Sequence, residues 1–206
     1  MTKRSNIGLI LLITLLIILM YIVDFYIQPG YMVKSIIKII LFLIIPFIYS
    51  YKVHITPVME FFKIKSLKEL IKAFILSIGI YIFIIAAYFI LKGFIDLDNI
   101  KTILDSSLSV NKDNFIYVSL YISFINSLLE EFFFRGFIFF NLNKTMTLVM
   151  SYSISAFAFS IYHVAILANW FNPILLRNGN IYNSWLVHMF ANFAINTVGL
   201  IMYGII

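Results

Sequence analysis

The 206-residue sequence contains no cysteine and few charged residues. The absence of cysteine excludes disulfide bonds, thiolate nucleophiles and thiolate metal sites. Charged residues form 12% of the chain and hydrophobic residues 63%, whereas soluble domains average about 25% and 45–50%, so a soluble globular domain is excluded. Because a membrane-spanning helix needs about 20 apolar residues, the chain has room for about six, and we expect an all-α, polytopic membrane helix bundle.

The positive charge of the chain is spread over short connections. The net charge is +6, yet no basic run is present that would suit a nucleic-acid groove, so nucleic acid is not an expected partner. The anionic head groups of a lipid bilayer are the expected contact. Six spans with short connections leave no room for an extramembrane domain, and residues 1–206 are predicted to form a single membrane domain.

Six apolar runs are candidates for the spans. They cover about residues 7–27, 35–53, 73–95, 115–140, 147–170 and 181–206. Between the second and third runs, residues 54–72 combine several lysines with Phe61 and Phe62, which is typical of an interfacial amphipathic segment. Lys38 lies close to the start of the second run and is expected to extend its ammonium to the interface. Residues 96–113 form the longest polar connection.

The basic residues of the connections predict an orientation in the cell membrane. With six spans both termini share a side. Eight basic residues then lie on the N-terminal side and six on the other: Lys3, Arg4, Lys52, Lys63, Lys65, Lys68, Lys72 and Lys144 against Lys34, Lys38, Lys92, Lys101, Lys112 and Arg177. By the positive-inside rule, both termini of this multi-pass protein are expected in the cytoplasm.

The fourth run contains three ionisable residues, Glu130, Glu131 and Arg135. Each costs about 2.5–3.5 kcal/mol on insertion, so each is a functional candidate. Adjacent helix positions lie about 100° apart, so the two carboxylates face different surroundings. Glu131 and Arg135 have the i,i+4 spacing of an ion pair, which leaves Glu130 without a cation in its own helix and suited to act as a general base. The alternative is a structural ion network that joins two helices.

The fifth and sixth runs add two histidines. Phe159 and His163 share one face of a helix, as do His188 and Asn192. Taken singly, such residues most often form hydrogen bonds between helices. Two histidines and two glutamates on three successive spans instead predict one intramembrane cavity, because the first three runs offer only Asp24 and a few hydroxyl groups.

These side chains are sufficient for the hydrolysis of an amide. A carboxylate beside an imidazole can polarise water, and a second imidazole with an amide can donate hydrogen bonds to an oxyanion. No serine or cysteine nucleophile is required. Two histidines and a glutamate also form a hydrolytic zinc triad, but the close HExxH pair is absent. We therefore expect no cofactor, and a zinc site remains the alternative.

Three ordered motifs carry a resemblance to a known family. The motifs Glu130-Glu131-x-x-x-Arg135, Phe159-x-x-x-His163 and His188-x-x-x-Asn192 resemble those of the CAAX-protease and bacteriocin-processing family of intramembrane proteases, also called CPBP or Abi. The resemblance covers about residues 126–196, within a protease-like motif core of about residues 115–206.

The resemblance implies a role for each motif residue. Glu130 with His163 would activate water, and His188 with Asn192 would stabilise the oxyanion. Glu131, Arg135 and Phe159 would support these four catalytic residues. No metal ligand is assigned.

The resemblance also implies an activity and a substrate class. The expected activity is that of a glutamate-type endopeptidase which cleaves a membrane-associated peptide or small membrane protein near the bilayer surface, in bacteriocin or signal-peptide maturation or in self-immunity. A non-catalytic immunity or scaffold protein of the same fold is one alternative, and the intact Glu130, His163 and His188 argue against it. A small proton-coupled transporter is another, and the lack of an inverted repeat argues against that.

Overall fold

The computed structural model describes residues 3–27, 29–53, 61–64, 66–94, 96–162 and 181–206. These residues form helices and short connections, and no strand occurs among them. The helices are α1 (Lys3–Ile22), α2 (Tyr31–Lys52), α3 (Leu67–Leu91), α4 (Leu97–Leu108), α5 (Phe115–Leu142), α6 (Leu148–Tyr162) and α7 (Tyr182–Met202). The predicted all-α bundle is confirmed.

Every apolar run of the sequence contains one of these helices. By length and composition, four are able to cross a membrane: α2, α3 with the turn that follows it, α5 and most of α7. The other two runs contain shorter described apolar stretches, Ile7–Ile22 in α1 and Leu148–Tyr162 in α6. Residues 163–170, which complete the fifth predicted run, lie outside the described residues.

The segment predicted to lie at the interface is partly buried in the bundle. Helix α3 begins at Leu67, where the Ser66 hydroxyl accepts a hydrogen bond from the Glu69 N–H at 3.3 Å, so residues 67–72 belong to a span. Phe61 is 2% exposed, and its ring stacks on Phe140 with centroids 5.5 Å apart. The contact with Phe140 was not predicted, and burial of an aromatic ring of this size stabilises the bundle.

The polar connection between α3 and α5 contains a helix that was not predicted, because this segment is rich in charged residues. Helix α4 begins where the Asp96 carboxylate accepts a hydrogen bond from the Asn99 N–H at 3.0 Å. It ends at Ser109, which has a left-handed backbone with φ of 54°. Leu97–Leu108 is therefore an amphipathic helix instead of an irregular loop.

Helix α5 packs against both α2 and α6 through aromatic rings. Phe133 stacks on Phe42 of α2 with centroids 4.2 Å apart, and Phe134 meets Phe159 of α6 edge-on at 5.0 Å. The Ser155 hydroxyl of α6 donates to the Phe134 carbonyl at 2.8 Å. These contacts make α5 the helix that holds the N-terminal and C-terminal parts of the bundle together.

Two π-helical stretches interrupt α5, at Tyr121–Asn126 and Phe132–Phe139. They flank the short α-helical segment Ser127–Glu131, which contains both glutamates. Such stretches change the direction of side chains and are frequent at functional sites. Both predicted carboxylates of α5 therefore lie at a local irregularity of the helix.

Helix α7 runs antiparallel to α5. The Asn196 amide donates to the Ser119 carbonyl at 3.0 Å, near the start of α5. Ile181, just before α7, packs instead against Phe132, in the second half of α5. Residues of the two helices therefore pair in opposite order.

The start of α1 and the end of α7 lie at opposite ends of the bundle. A Cβ atom on Gly8 would lie 3.3 Å from the Tyr49 hydroxyl, and the Tyr49 ring meets Phe137 in the second half of α5. The Tyr203 hydroxyl donates to the Val110 carbonyl at 2.9 Å, beyond the start of α5. The start of α1 and the end of α7 therefore lie at opposite ends of the described bundle, which differs from the arrangement expected from six spans, and the side of the membrane on which each terminus lies stays a prediction.

The reason lies in where α6 and α7 begin. The Ile181 N–H donates to the Phe61 carbonyl at 3.2 Å, so α7 starts beside Phe61. Because Phe61 also stacks on Phe140, shortly before α6, helices α6 and α7 start at the same end of the bundle.

Candidate active site

Both predicted glutamates are buried near the middle of α5. Glu130 is 2% exposed and Glu131 1% exposed. Glu130 follows Phe115 by 15 residues and precedes Leu142 by 12, which places it about 22 Å and 18 Å from the two ends of the helix. The carboxylates therefore lie deep in the bundle.

Glu131 has the partner that its spacing predicts. The Arg135 Nη1 atom lies 2.8 Å from Glu131 Oε1, so the i,i+4 ion pair is present. The Arg135 guanidinium lies 4.6 Å from the centroid of the Phe159 ring, in the geometry of a cation–π contact. The same ring meets the His188 imidazole edge-on, with centroids 6.0 Å apart. Phe159 therefore packs between the cation of α5 and the histidine of α7.

His188 contacts both glutamates. Its Nδ1 atom lies 3.2 Å from Glu131 Oε1, and its Nε2 atom lies 3.5 Å from Glu130 Oε2. Because the Glu131 carboxylate is paired with Arg135, it accepts a hydrogen bond and Nδ1–H is the donor. This bond orients the ring and directs Nε2 towards Glu130.

The cation for Glu130 comes from α2. The Lys38 ammonium forms a salt bridge with Glu130 Oε1, and Lys38 is only 4% exposed. It also lies 4.9 Å from the centroid of the Tyr162 ring. The expectation that Lys38 reaches the interface was wrong, because the parallel packing of α2 and α5 puts it at the depth of a buried carboxylate. Glu130 therefore lacks a cation only within its own helix.

Asn126 completes this contact and was missed from the sequence. Its Nδ2 atom donates to Glu130 Oε1 at 3.0 Å, and its Oδ1 atom accepts from Lys38 Nζ at 2.6 Å. The three side chains form a closed set, which we call the Lys38–Asn126–Glu130 cluster. The i,i+4 spacing of Asn126 and Glu130 was the signal that could have identified it.

Asn192 lies one turn after His188, with its amide on the backbone of α5. Its Nδ2 atom donates to the Ile122 carbonyl at 3.3 Å, within the first π-helical stretch. Asn196, a further turn along, donates to the Ser119 carbonyl and, at 2.9 Å, to the Ser123 hydroxyl. Both asparagines thus connect α7 to α5.

His163 lies outside the described residues. The described part of α6 extends to Tyr162, whose ring is in contact with the Lys38 ammonium. The structure therefore brings together Glu130, Glu131, Arg135, Phe159 and His188 of the predicted set, with Asn192 one turn away.

The described side chains alone do not form a zinc centre, and His163, one of the two histidines of the zinc alternative, lies outside them. Among residues 3–162 and 181–206, apart from the short gaps given above, no group of three His, Asp or Glu side chains is arranged to hold a metal ion. A divalent cation on Glu130 would also meet the Lys38 ammonium on the same carboxylate. His188 Nδ1 faces Glu131, which leaves only Nε2 as a ligand.

A cavity of about 530 Å³ lies between α2 and α5. Ser109 and Asn114 line it where α4 connects to α5, and Ile39 and Tyr121 line it further along the two helices. Because Lys38 directly precedes Ile39, the cavity reaches the level of the Lys38–Asn126–Glu130 cluster. It extends towards the site from the end of the bundle that also contains Tyr203.

The comparison with protein families identifies the C-terminal part of the chain. Residues 112–194 match the family model described as Type II CAAX prenyl endopeptidase Rce1-like. Over this segment, the chain is similar to the Rce1-like endopeptidases. The match confirms the resemblance carried by the three motifs, and it supports a CAAX-type membrane endopeptidase in general. No curated protein and no solved structure matches the chain.

The Rce1-like segment includes α5, α6 and most of α7, and with them every described residue of the three motifs. Helix α2 lies before it. Lys38 therefore comes from a part of the chain to which the Rce1-like match does not extend.

Proposed function

We propose that this protein is a membrane-embedded endopeptidase of the glutamate type, with Glu130 as the general base. The observation that carries the proposal is the meeting of Glu130 and His188 in the middle of the bundle, at 3.5 Å. The Rce1-like match and the four helices able to cross a membrane support a peptidase that acts inside the bilayer.

The reaction needs one proton acceptor and donors for the oxyanion. Glu130 Oε2 would take a proton from water as the water oxygen attacks the carbonyl carbon of the substrate. The carboxyl group would then pass that proton to the leaving nitrogen as the C–N bond breaks. By the motif resemblance, His163 would assist the first step.

His188 and Asn192 are the proposed oxyanion donors. Since Nδ1–H of His188 donates to Glu131, only the imidazolium form also has an Nε2–H to donate. The Asn192 amide has two N–H groups, and the Ile122 carbonyl accepts one of them at 3.3 Å. The second N–H of the amide would serve the oxyanion.

The depth of Glu130 bears on the substrate. Glu130 lies about 22 Å along the helix from the start of α5, so a substrate that reaches it from this end must extend into the bundle. An extended peptide of about seven residues covers that distance at about 3.3 Å per residue. The cavity between α2 and α5 supports an approach along this route. The proposed substrate is therefore a membrane-associated peptide, or a small membrane protein with an unwound segment of this length.

The proposed mechanism uses no metal ion. Prolonged chelation followed by desalting should leave the peptidase rate unchanged, since no step depends on a cation other than Lys38, Arg135 and His188. Restoration of a lost rate by stoichiometric zinc, with about one metal per chain, would replace this mechanism with a zinc mechanism.

The proposed biological setting is maturation of bacteriocins or peptide signals, or self-immunity. To test it, mass spectrometry would compare the peptides released by cells that carry the unaltered chain with those from Glu130→Ala cells. Glu69→Ala is the matched control, because Glu69 pairs with Lys72 at the start of α3, remote from the site. At least one processed peptide should be absent only from the Glu130→Ala cells.

One observation favours a second candidate, a non-catalytic immunity or scaffold protein. The closed Lys38–Asn126–Glu130 cluster joins two helices, which is what a structural ion network does. Under this alternative, Glu130→Ala would leave the released peptides unchanged and would lower the stability of the bundle. Identical peptide profiles from the two cell types would therefore favour the scaffold.

A further inference from the structure

The two oxygen atoms of the Glu130 carboxylate have different neighbours. Oε1 accepts from the Asn126 amide at 3.0 Å and pairs with the Lys38 ammonium. Oε2 lies 3.5 Å from His188 Nε2. Two donors on one oxygen fix the rotation of the carboxylate and direct the other oxygen towards α7.

Lys38 is held in this position from several sides. Its ammonium donates to the Asn126 carbonyl oxygen at 2.6 Å and lies 4.9 Å from the centroid of the Tyr162 ring. A lysine this close to the start of a span could extend to the interface, where its charge would be hydrated. Instead it is buried against Glu130, in a position that requires a carboxylate to offset the loss of hydration.

The neighbouring basic side chains, Arg135 and Lys34, each pair with another carboxylate. Arg135 pairs with Glu131, and Lys34, one turn before Lys38 on α2, pairs with Asp24 at 2.7 Å. Among the described residues, titratable groups near the Glu130 carboxylate include His188 of α7, Tyr31 of α2, Tyr121 of α5 and Tyr162 of α6. Lys38 is the lysine whose ammonium contacts this carboxylate directly.

We propose that Lys38 is a positioning residue of the peptidase, which holds Glu130 ionised and, together with Asn126, turns its Oε2 atom towards the reacting water. This inference rests on the proposed function. Each glutamate then has its own cation. Arg135 stabilises the Glu131 carboxylate, which orients His188, and Lys38 stabilises the Glu130 carboxylate, which accepts the proton. The catalytic unit then includes a helix outside the Rce1-like segment.

Kinetics of purified variants in lipid would test the inference. Lys38→Met keeps the length of the side chain and removes its charge, and it should lower kcat roughly 10²-fold, a typical loss for a general base, with KM changed less than threefold. Lys38→Arg restores a cation and should recover kcat to within about tenfold of the unaltered chain. Lys34→Met removes a lysine from the same helix and should leave kcat unchanged.

A merely structural lysine gives a different pattern. In that case Lys38→Met would lower the melting temperature, but the folded fraction would retain kcat within about threefold of the unaltered chain. That result would overturn the inference, as would a Lys38→Arg variant no more active than Lys38→Met.

Infrared difference spectroscopy tests the same inference without a substrate. The spectrum of the unaltered chain minus that of Glu130→Gln, in lipid at neutral pH, should contain the bands of an ionised carboxylate. The spectrum of Lys38→Met minus that of Lys38→Met/Glu130→Gln should contain the band of a protonated carboxyl group. A protonated band in the first comparison would overturn the inference, even if Lys38→Met did not fold.

This second measurement separates the two proposals. A chain that cleaves no peptide but has an ionised Glu130 dependent on Lys38 would refute the peptidase and keep the electrostatic role of Lys38. A peptidase with Glu130 protonated at rest would keep the proposed function and refute the role of Lys38.

Discussion

Two adjacent glutamates have separate tasks because the helix turns them towards different helices. Glu131 pairs with Arg135 in its own helix and orients His188 of α7. Glu130 contacts Lys38 of α2 through one oxygen and approaches His188 through the other. The imidazole therefore lies between a carboxylate that orients it and a carboxylate that can exchange protons with water.

The pair of Glu131 and Arg135 should stabilise the folded bundle. Arg135→Ala leaves a buried carboxylate without its cation, a change that costs about 3–5 kcal/mol when one partner of a buried pair is lost. The double variant Arg135→Ala/Glu131→Gln leaves no unpaired charge and should regain much of that stability. Thermal unfolding in lipid nanodiscs measures the stability of the single and the double variant. An inactive Arg135→Ala variant with an unchanged melting temperature would instead assign Arg135 to the substrate.

The two asparagines of α7 should differ in their effect on the reaction. Asn192→Ala removes a proposed oxyanion donor and should lower kcat roughly 10²–10³-fold. Asn196→Ala removes hydrogen bonds to Ser119 and Ser123, so it should lower the melting temperature and leave kcat of the folded protein nearly unchanged. Equal losses of kcat in the two variants would mean that Asn192 serves only to join α7 to α5.

The local rules that operate within one helix predicted part of this site. The i,i+4 rule correctly identified the partner of Glu131. The face predicted for Phe159 and His163 stays a prediction because His163 lies outside the described residues, and the contact of Phe159 with His188 of α7 was not predicted. No local rule gives the register between α2 and α5, which are about 90 residues apart in the sequence. For that reason Lys38 was expected at the interface, and the cation of Glu130 was not predicted.

At the scale of helices, the apolar runs of the sequence predicted helices correctly, whereas the charged composition of residues 96–113 did not. Each apolar run contains a helix, and α5 begins at the predicted residue, Phe115. Helix α4 was missed because its charged residues resemble those of a loop, although Asp96 is an ordinary N-cap. The burial of Phe61 depends on a tertiary contact with Phe140, which lies 79 positions later in the chain.

The close approach of α5 and α7 depends on a glycine. A Cβ atom on Gly199 would lie 2.1 Å from Cζ of Phe115, so Gly199→Ala forces the two helices apart and should cost about 1–3 kcal/mol of stability. Gly79→Ala is the matched control in α3, where no atom lies within 4 Å of the added carbon. It should be neutral or stabilising, because alanine favours a helix by up to about 1 kcal/mol. Equal melting temperatures for the two variants would contradict this packing.

At the scale of the whole molecule, the helix directions determine which segments share a membrane face. Lys144 follows α5 at the end where Phe140 and Phe61 meet, whereas Lys112 lies 3.5 Å from the Gly204 carbonyl at the other end. The first end also contains Lys52, Lys63, Lys68 and Lys72. The positive-inside rule then predicts that this end faces the cytoplasm.

The absence of cysteine makes this orientation directly testable. A membrane-impermeant maleimide should label Lys112→Cys and Ile206→Cys in intact cells, and Lys144→Cys only after the membrane is permeabilised. The unaltered chain contains no cysteine and gives the background signal. If Ile206→Cys and Lys144→Cys were labelled from the same side, α7 would have to end where α6 begins, contrary to the described contacts.

The hydrolysis of a peptide bond by Glu130 is the central claim, and one measurement addresses it directly. The unaltered chain and Glu130→Gln, each purified into lipid, would be incubated in H2¹⁸O with the peptide identified from cells, and the products would be followed by mass spectrometry. The unaltered chain should release a fragment with one ¹⁸O atom in its new carboxyl group. The folded fraction of Glu130→Gln should be slower by at least 10²-fold, because the amide keeps the shape of the side chain and cannot accept the proton. A Glu130→Gln rate within about tenfold of that of the unaltered chain would contradict the account.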